Sequence, residues 1–201
     1  MRKQREPKVA DSEPVPEASA PEDQVLIRRF LRSGDSRAFQ ELLERHLPSI
    51  RRLLYTLFNG QREEMEDAEQ EVILSLFQGL KDFRFRSSFR TWFYRLARNR
   101  GIDCLRRNRS RERTLARIKR DLPNPEHLGP EQQVLRREEM ETLLSVFQTL
   151  ASRDRQLILM KDVDGFSIEE IGQILETPAG TVKSRLHRAR ERLVRAARRG
   201  R

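Results

Sequence analysis

The sequence lacks features that whole classes of protein require. Cys104 is the only cysteine among 201 residues, which excludes an internal disulfide and a cysteine-rich zinc site. No apolar run reaches the roughly 18 residues of a membrane-spanning helix, and no signal peptide is evident. Hydrophobic residues make up only 36% of the chain, so one large core is not expected. We therefore expect a soluble, cytoplasmic protein without membrane insertion.

The apolar periodicity favours small helical units, each with a narrow buried stripe. It occurs in two blocks, separated by a polar stretch that contains Pro123, Pro125, Gly129 and Pro130. The predicted fold class is all-α, with two small helical domains joined by a flexible linker. The predicted boundaries are a disordered tail at 1–21, a first domain at 22–108, a linker at 109–133 and a second domain at 134–197.

Acidic residues are scarce in two parts of a strongly basic chain. The formal net charge is +10, which favours an anionic partner. Residues 84–120 hold 14 Lys or Arg against two acids, and residues 177–201 hold nine against one. The positive charge therefore forms two patches, which is typical of nucleic-acid binding.

The first patch interleaves arginine with aromatic residues over residues 82–107. Such a surface can follow phosphates while offering flat faces to unstacked bases. The alternative is a solvated basic helix with an aromatic core stripe. Ser87-Ser88 predicts a helix start, and the predicted helix runs from about Phe89 to Arg107. We expect Phe89, Trp92, Phe93, Leu96, Ala97 and Ile102 to be buried, and Arg90, Tyr94, Arg95, Arg98 and Asn99 to face solvent or a ligand.

Three further helices are predicted before this stretch. The first begins near Pro21 and stops at Ser33-Gly34, and the second is capped by Asp35. Pro48 predicts a kink or a break in the second helix, which ends at Asn59-Gly60. The third, over residues 62–80, is acidic in its first half. The helix dipole accounts for some of these acids, and a basic protein partner would account for the rest.

The C-terminal block is predicted to be helical from Val134 to Leu150 and from Arg153 to Lys161, with Ser152 as a cap. A turn follows at 163–165. Ser167 and Glu170 fit a capping box, and Thr177 is predicted to cap a last helix whose first position is Pro178. Two helices joined by a short turn, the second with a basic face, predict a helix-turn-helix. The alternative is an ordinary helical hairpin with a solvated face.

With these segments in view, the chain resembles a bacterial extracytoplasmic-function (ECF) sigma factor of the sigma-70 family. Three stretches carry the resemblance: AFQELLERHLPSIRRLLYTLF with EDAEQEVILSLFQGL, then FRSSFRTWFYRLARNRGIDCLRR, and then FSIEEIGQILETPAGTVKSRLHRARERL. The last, with GTVKSRLHRAR, is the most specific. The chain departs from the family pattern at Arg86–Ser88, where Gly or Asp is common, and at Glu176, where smaller residues are frequent.

The resemblance implies roles for individual residues. Asp67, Gln70 and Glu71 would bind core RNA polymerase, whose beta-prime clamp and beta flap are the implied contacts. The residues implied to recognise and open the −10 element are Phe85, Arg86, Ser87, Ser88, Arg90, Tyr94, Arg95, Arg98 and Asn99. Those implied to read the −35 element are Pro178, Ala179, Gly180, Thr181, Lys183, Ser184, Arg185, His187 and Arg188.

The resemblance thus implies promoter DNA and core polymerase as partners, with an anti-sigma factor as a further possible one. It implies neither a metal nor another cofactor.

Two other classes of protein stay open. A stand-alone helix-turn-helix regulator would bind palindromic DNA without polymerase. A nucleic-acid enzyme would need a nucleophile or grouped carboxylates near the basic patches, and the sequence offers no convincing set.

Overall fold

The computed structural model describes residues 21–118 and 146–199, and all regular structure within these ranges is helical. The N-terminal half contains α1 (Pro21–Ser33), α2 (Ser36–Phe58), α3 (Arg62–Gly79) and α4 (Phe89–Ile118), with a 3-10 turn at Leu80–Asp82. The C-terminal half contains α5 (Ser152–Ile158), a π-helical turn (Leu159–Val163), α6 (Ile168–Leu175) and α7 (Ala179–Arg199). The predicted all-α class and the division into two helical units are confirmed. Residues 1–20 of the predicted tail and residues 119–145 lie outside the described ranges.

The ends of α1 and α2 follow the sequence signals. Asp35 caps α2, because its carboxylate accepts the backbone N–H groups of Arg37 and Ala38. Asn59 ends α2 in the left-handed conformation, with φ of 53°. Of the kink or break predicted at Pro48, the break does not occur, since α2 is continuous from Ser36 to Phe58. Burial along both sides of this position, at Leu42 and Ile50, holds the helix together where the proline removes one backbone donor.

Helix α4 is longer than predicted. It begins at Phe89 as expected, but it continues to Ile118 and so extends into the segment predicted as a linker. Phe89, Phe93 and Ala97 are fully buried between α2 and α3, and Trp92 is partly buried against the same core. The predicted buried stripe is therefore confirmed at these positions.

The C-terminal half contains the predicted helix-turn-helix in α6 and α7. Ser167 and Glu170 form the predicted capping box. Two predicted caps are wrong. Ala151 precedes α5, and the Ser152 hydroxyl, within the helix, accepts from Gln156 Nε2. The Thr177 hydroxyl donates to the Leu175 carbonyl, and the Pro178 carbonyl accepts the first backbone bonds of α7.

The two halves contact each other through α2 with α5 and through α4 with α6. Their buried apolar residues form one continuous cluster. Among the helices of the described ranges, none combines the length and apolar character needed to cross a bilayer.

Candidate nucleic-acid and protein interfaces

The first candidate surface is a groove between α3 and α4, which we call the acidic groove. Its cavity measures about 310 Å³. Asp67 and Gln70 are exposed on its α3 wall, and Glu71 is half-buried there. Leu74, 55% exposed, adds an apolar contact one turn further along. The groove is lined by Glu64, Asp67, Gln70, Glu71, Leu74, Cys104, Arg107, Asn108 and Arg111.

The three residues predicted to bind a protein partner therefore share one groove, but Glu71 is already paired within it. Its carboxylate accepts from the Arg107 guanidinium and from the Cys104 thiol, the latter at 3.3 Å. The Arg107 hydrogen bond lowers the pKa of Glu71, whereas burial raises the pKa of Cys104. Glu71 is thus held as a carboxylate, and Asp67 and Gln70 are the residues with exposed side chains.

The second candidate surface is the loop that precedes α4. Phe85 adopts a φ of 55°, which is strained for a side chain of this size. Its ring packs 4.7 Å from the ring of Phe83 and lies beneath the Arg28 guanidinium, yet 39% of the residue is exposed. An exposed ring on a constrained backbone can stack on an unpaired base. Arg86 is exposed beside it, and Ser87 is half-buried.

Ser88 differs from the rest of this loop because it is buried. Its hydroxyl accepts the Thr91 N–H at 3.0 Å and donates to the Thr91 hydroxyl at 2.7 Å. Ser88 therefore starts α4 in the manner that the sequence predicts, and its side chain is not available to a ligand in this arrangement.

The α4 face expected to meet DNA lies against the C-terminal half. Tyr94 was expected to face solvent or a ligand, but only 1% of it is exposed. Its hydroxyl donates to Asp164 at 3.4 Å, and burial raises its pKa well above the ordinary value, so the phenol stays neutral. The reason for the difference is tertiary: Phe166 covers the Tyr94 ring edge-on at 4.9 Å.

Arg90 and Arg98 flank Tyr94 and also contact the C-terminal half. The Arg90 guanidinium lies 4.0 Å from the centre of the Phe166 ring. Arg98 Nε donates to Gln156 Oε1 at 3.1 Å. Of the remaining predicted residues on this helix, Arg95 is half-buried and Asn99 is exposed.

The third candidate surface is the start of α7. The left-handed residue Glu176, with φ of 52°, ends α6 and turns the chain toward α7. The stripe Val182, Leu186 and Ala189 is buried, so the other side of the helix faces outward. Residues exposed there are Pro178, Gly180, Lys183, Ser184, Arg185, His187 and Arg188, whereas Ala179 and Thr181 are half-buried.

A cavity of about 460 Å³ lies between α4 and the start of α7. Arg98 of α4 lines it together with Arg185 and Arg188 of α7. Arg153 and Arg192 also line it, and Asp154 pairs with Arg192 at 2.5 Å. Burial and then the nearby charge of Arg153 lower the pKa of Arg98. The same cavity thus contains Arg98, which is predicted to recognise the −10 element, and Arg185 and Arg188, which are predicted to read the −35 element.

Four residues at the junction of the halves were not identified from the sequence: Arg52, Arg155, Asp164 and Phe166. An aromatic residue immediately before a capping serine is a recognised helix-start signal, so Phe166 could have been found. The other three carry no local signal, because their partners lie about a hundred residues away in the chain.

Comparison with known proteins identifies the halves. The model described as "Sigma-70 region 2" matches residues 42–111, and that described as "Sigma-70, region 4" matches residues 140–193. The ECF RNA polymerase sigma factor SigW of Bacillus subtilis is 31% identical over 174 residues, covering 81% of this chain and 90% of the relative. The ECF RNA polymerase sigma-E factor of Escherichia coli K12 is 31% identical over 181 residues, covering 84% and 91%.

Two solved structures share the fold at 24% identity. CnrH in complex with the cytosolic domain of CnrY has a TM-score of 0.60 and covers 86% of this chain and 95% of its own. The sigma factor RpoE in complex with the anti-sigma factor NepR from Bartonella quintana has a TM-score of 0.61, with 80% and 96% covered. Family models over both halves, and relatives matched over nearly their whole length, lead to one assignment. This chain belongs to the extracytoplasmic-function sigma factors of the sigma-70 family.

Proposed function

We propose that this sigma factor binds core RNA polymerase through the acidic groove, reads the −35 element with the start of α7, and opens the −10 element with the Phe85 loop and α4. It contributes binding energy and no bond-breaking chemistry. It works in the cytoplasm, where polymerase and promoter DNA are its partners.

The observation that carries this proposal is the separation of unlike surfaces on one chain. Asp67 and Gln70 lie exposed on α3, whereas Lys183, Arg185 and Arg188 lie exposed at the start of α7. The exposed carboxylate of Asp67 on the α3 wall of the groove suits a basic protein surface. A basic helix start after a short turn suits the major groove, where Arg and Lys bind guanine. A stand-alone DNA-binding regulator would have no use for the acidic groove.

A reciprocal pair of variants tests this division in run-off transcription with purified core polymerase. Arg185→Ala is expected to lower initiation at a −35-dependent promoter about tenfold, because one base contact is worth roughly 1–3 kcal/mol of discrimination. It leaves the affinity for core polymerase unchanged. Asp67→Lys is expected to lower the affinity for core polymerase while promoter selection by the residual complex stays the same.

Each variant has a control on its own helix. Arg195→Ala removes an exposed arginine from α7 beyond its start, and Glu63→Lys reverses an exposed acid on α3 outside the groove. Both controls are expected to behave like the parent protein. Equal loss of polymerase affinity and promoter selection in Arg185→Ala would contradict the assignment of separate surfaces.

A further inference from the structure

The cavity between α4 and the start of α7 is lined by five arginines and by one acidic residue, Asp154. Its volume of about 460 Å³ lies in the range of sites that bind small ligands. The arginines come from three helices: Arg98 from α4, Arg153 from α5, and Arg185, Arg188 and Arg192 from α7. The side chains that line the cavity therefore leave it with an excess of positive charge.

The three arginines of α7 share one side of that helix. Residues 185, 188 and 192 are spaced by three and then four positions, which places their side chains next to one another. Arg192 pairs with Asp154 at 2.5 Å, so the one acid of the cavity is already occupied. Arg188 donates to the Ser184 carbonyl at 3.3 Å. Among the residues that the structure describes, neither Arg185 nor Arg188 forms an ion pair.

Arg98 is held in place by two hydrogen bonds in series. Its Nε donates to Gln156 Oε1 at 3.1 Å, and Gln156 Nε2 donates to the Ser152 hydroxyl at 3.1 Å. Gln156 is only 4% exposed, so its amide supports Arg98 from the interior. Within residues 21–118 and 146–199, the terminal nitrogens of Arg98 make no hydrogen bond or ion pair. They are therefore available as donors to a ligand in the cavity.

The charges in the cavity disfavour one another. Burial and the nearby charge of Arg153 both lower the pKa of Arg98. Glu176, which is exposed at the end of α6, acts in the opposite direction but does not line the cavity. Since arginine does not deprotonate in proteins, an anion rather than the loss of a proton relieves this repulsion. Guanidinium groups bind phosphate through paired, charge-assisted hydrogen bonds.

Promoter DNA does not account for the whole cavity. The residues predicted to read the −35 element lie at the start of α7, and those predicted for the −10 element lie in the Phe85 loop and on α4. Arg153 of α5 belongs to neither set, yet it is exposed and lines the same cavity. A ligand that contacts all three helices must be small and must carry several negative charges, as a chain of phosphate groups does.

We propose that this cavity binds a small polyphosphate anion, either an inorganic phosphate chain or the phosphate chain of a nucleotide. Arg98, Arg153, Arg185 and Arg188 bind the phosphates, and Arg192 stays paired with Asp154. The two sources share the phosphate chain and differ in one respect. A nucleotide also brings a nucleoside, for which Leu157 and Leu175 of the same cavity offer apolar contacts.

Isothermal titration calorimetry of the full-length protein with inorganic triphosphate tests the site, in magnesium-free buffer of low ionic strength. We expect saturable binding of one triphosphate per chain. Arg153→Ala is expected to weaken this binding about tenfold, because charge-assisted hydrogen bonds are lost. Arg153→Lys keeps the charge without the planar fork, and its affinity is expected to lie between those of Arg153→Ala and the parent. Circular dichroism confirms that the variants fold.

Arg195→Ala is the matched control, since it removes the same charge from an exposed position of α7 that does not line the cavity. It is expected to bind triphosphate like the parent. Titrations with ATP and GTP distinguish the two sources of the phosphate chain. Affinities equal to that of triphosphate support a site for the phosphate chain alone, and tighter binding of a nucleotide supports a site that also contacts the nucleoside.

Two results would overturn the inference. One is a folded parent protein that shows no saturable binding of triphosphate, including the case in which Arg153→Ala weakens only the binding of promoter DNA. The other is equal weakening by Arg153→Ala and Arg195→Ala, which would indicate general attraction to a basic protein. The proposed function is tested separately by Arg185→Ala. Weaker triphosphate binding with unchanged −35 selection in that variant would support the cavity and contradict the function.

Discussion

Arg155 shows how much of the junction between the halves depends on one side chain. It is only 6% exposed, and its guanidinium donates to the carbonyls of Gln148 at 2.7 Å and Leu150 at 2.9 Å. It also reaches across to the Thr56 carbonyl at 3.0 Å and to Asn59 Oδ1. Burial lowers the pKa of Arg155. The guanidinium nevertheless stays charged, because arginine does not deprotonate in proteins.

We expect Arg155→Ala to lower the free energy of unfolding by about 3 kcal/mol, because buried carbonyls lose charged donors and are left unsatisfied. Urea unfolding followed by circular dichroism measures this change. Arg153→Ala is the matched control, since Arg153 is exposed and its loss is expected to change stability by less than about 0.5 kcal/mol. Similar losses in the two variants would show that Arg155 is not a structural centre of the junction.

At the scale of elements, the crossing of α2 and α4 requires a residue without a side chain. A Cβ atom at Gly101 would lie 2.7 Å from Leu57 Cδ1 and 3.2 Å from Leu54 Cδ2. Both leucines are buried, so they have little room to move. The glycine therefore allows the two helices to approach each other.

Gly101→Ala is expected to destabilise the protein by about 1 kcal/mol. Overpacking costs about 1–3 kcal/mol, which exceeds the gain of about 1 kcal/mol from replacing glycine inside a helix. Gly180→Ala on α7 is expected to stabilise by about 0.5–1 kcal/mol, because nothing lies within 4 Å of its added Cβ. Thermal unfolding of both variants distinguishes these opposite signs, and a stabilised Gly101→Ala would show that Leu54 and Leu57 can give way.

At the scale of the whole molecule, the two halves share one buried cluster rather than two separate ones. Tyr94 of α4 and Phe166 of the C-terminal half are both buried at their contact. Two halves of a protein unfold in one transition when the free energy of the interface between them is large compared with the stability of each half alone.

We expect differential scanning calorimetry of the full-length protein to show one transition, with equal calorimetric and van't Hoff enthalpies. Arg52→Glu places a second acid against the covered Asp164 carboxylate, and it is expected to split this into two transitions because the shared cluster is divided when the halves separate. Arg51→Glu is expected to keep a single transition, because Arg51 pairs with Glu69 inside the N-terminal half. Two transitions in the parent protein would show that the halves are in contact without being energetically coupled.

Most of the helices and the family follow from local patterns in the sequence. Local signals placed Asp35 and Ser167 as caps and Asn59 at a helix end, because capping depends on neighbours within a few residues. The apolar period located the core stripe of α4, and the GTVKSRLHRAR stretch carried the resemblance that the comparisons confirmed. The assignment of individual residues to polymerase and to the two promoter elements stays a prediction.

Which of those residues are accessible depends on contacts between the two halves of the chain. A kink or a break was predicted at Pro48, and α2 shows no break there; α4 extends past its predicted end. Tyr94 was predicted to be exposed, yet it is buried because Asp164 and Phe166, some 70 residues away in sequence, close over it. Helical periodicity shows which face of a helix is apolar. It does not show whether a second half of the chain will cover that face, because such contacts depend on the packing of residues far apart in sequence.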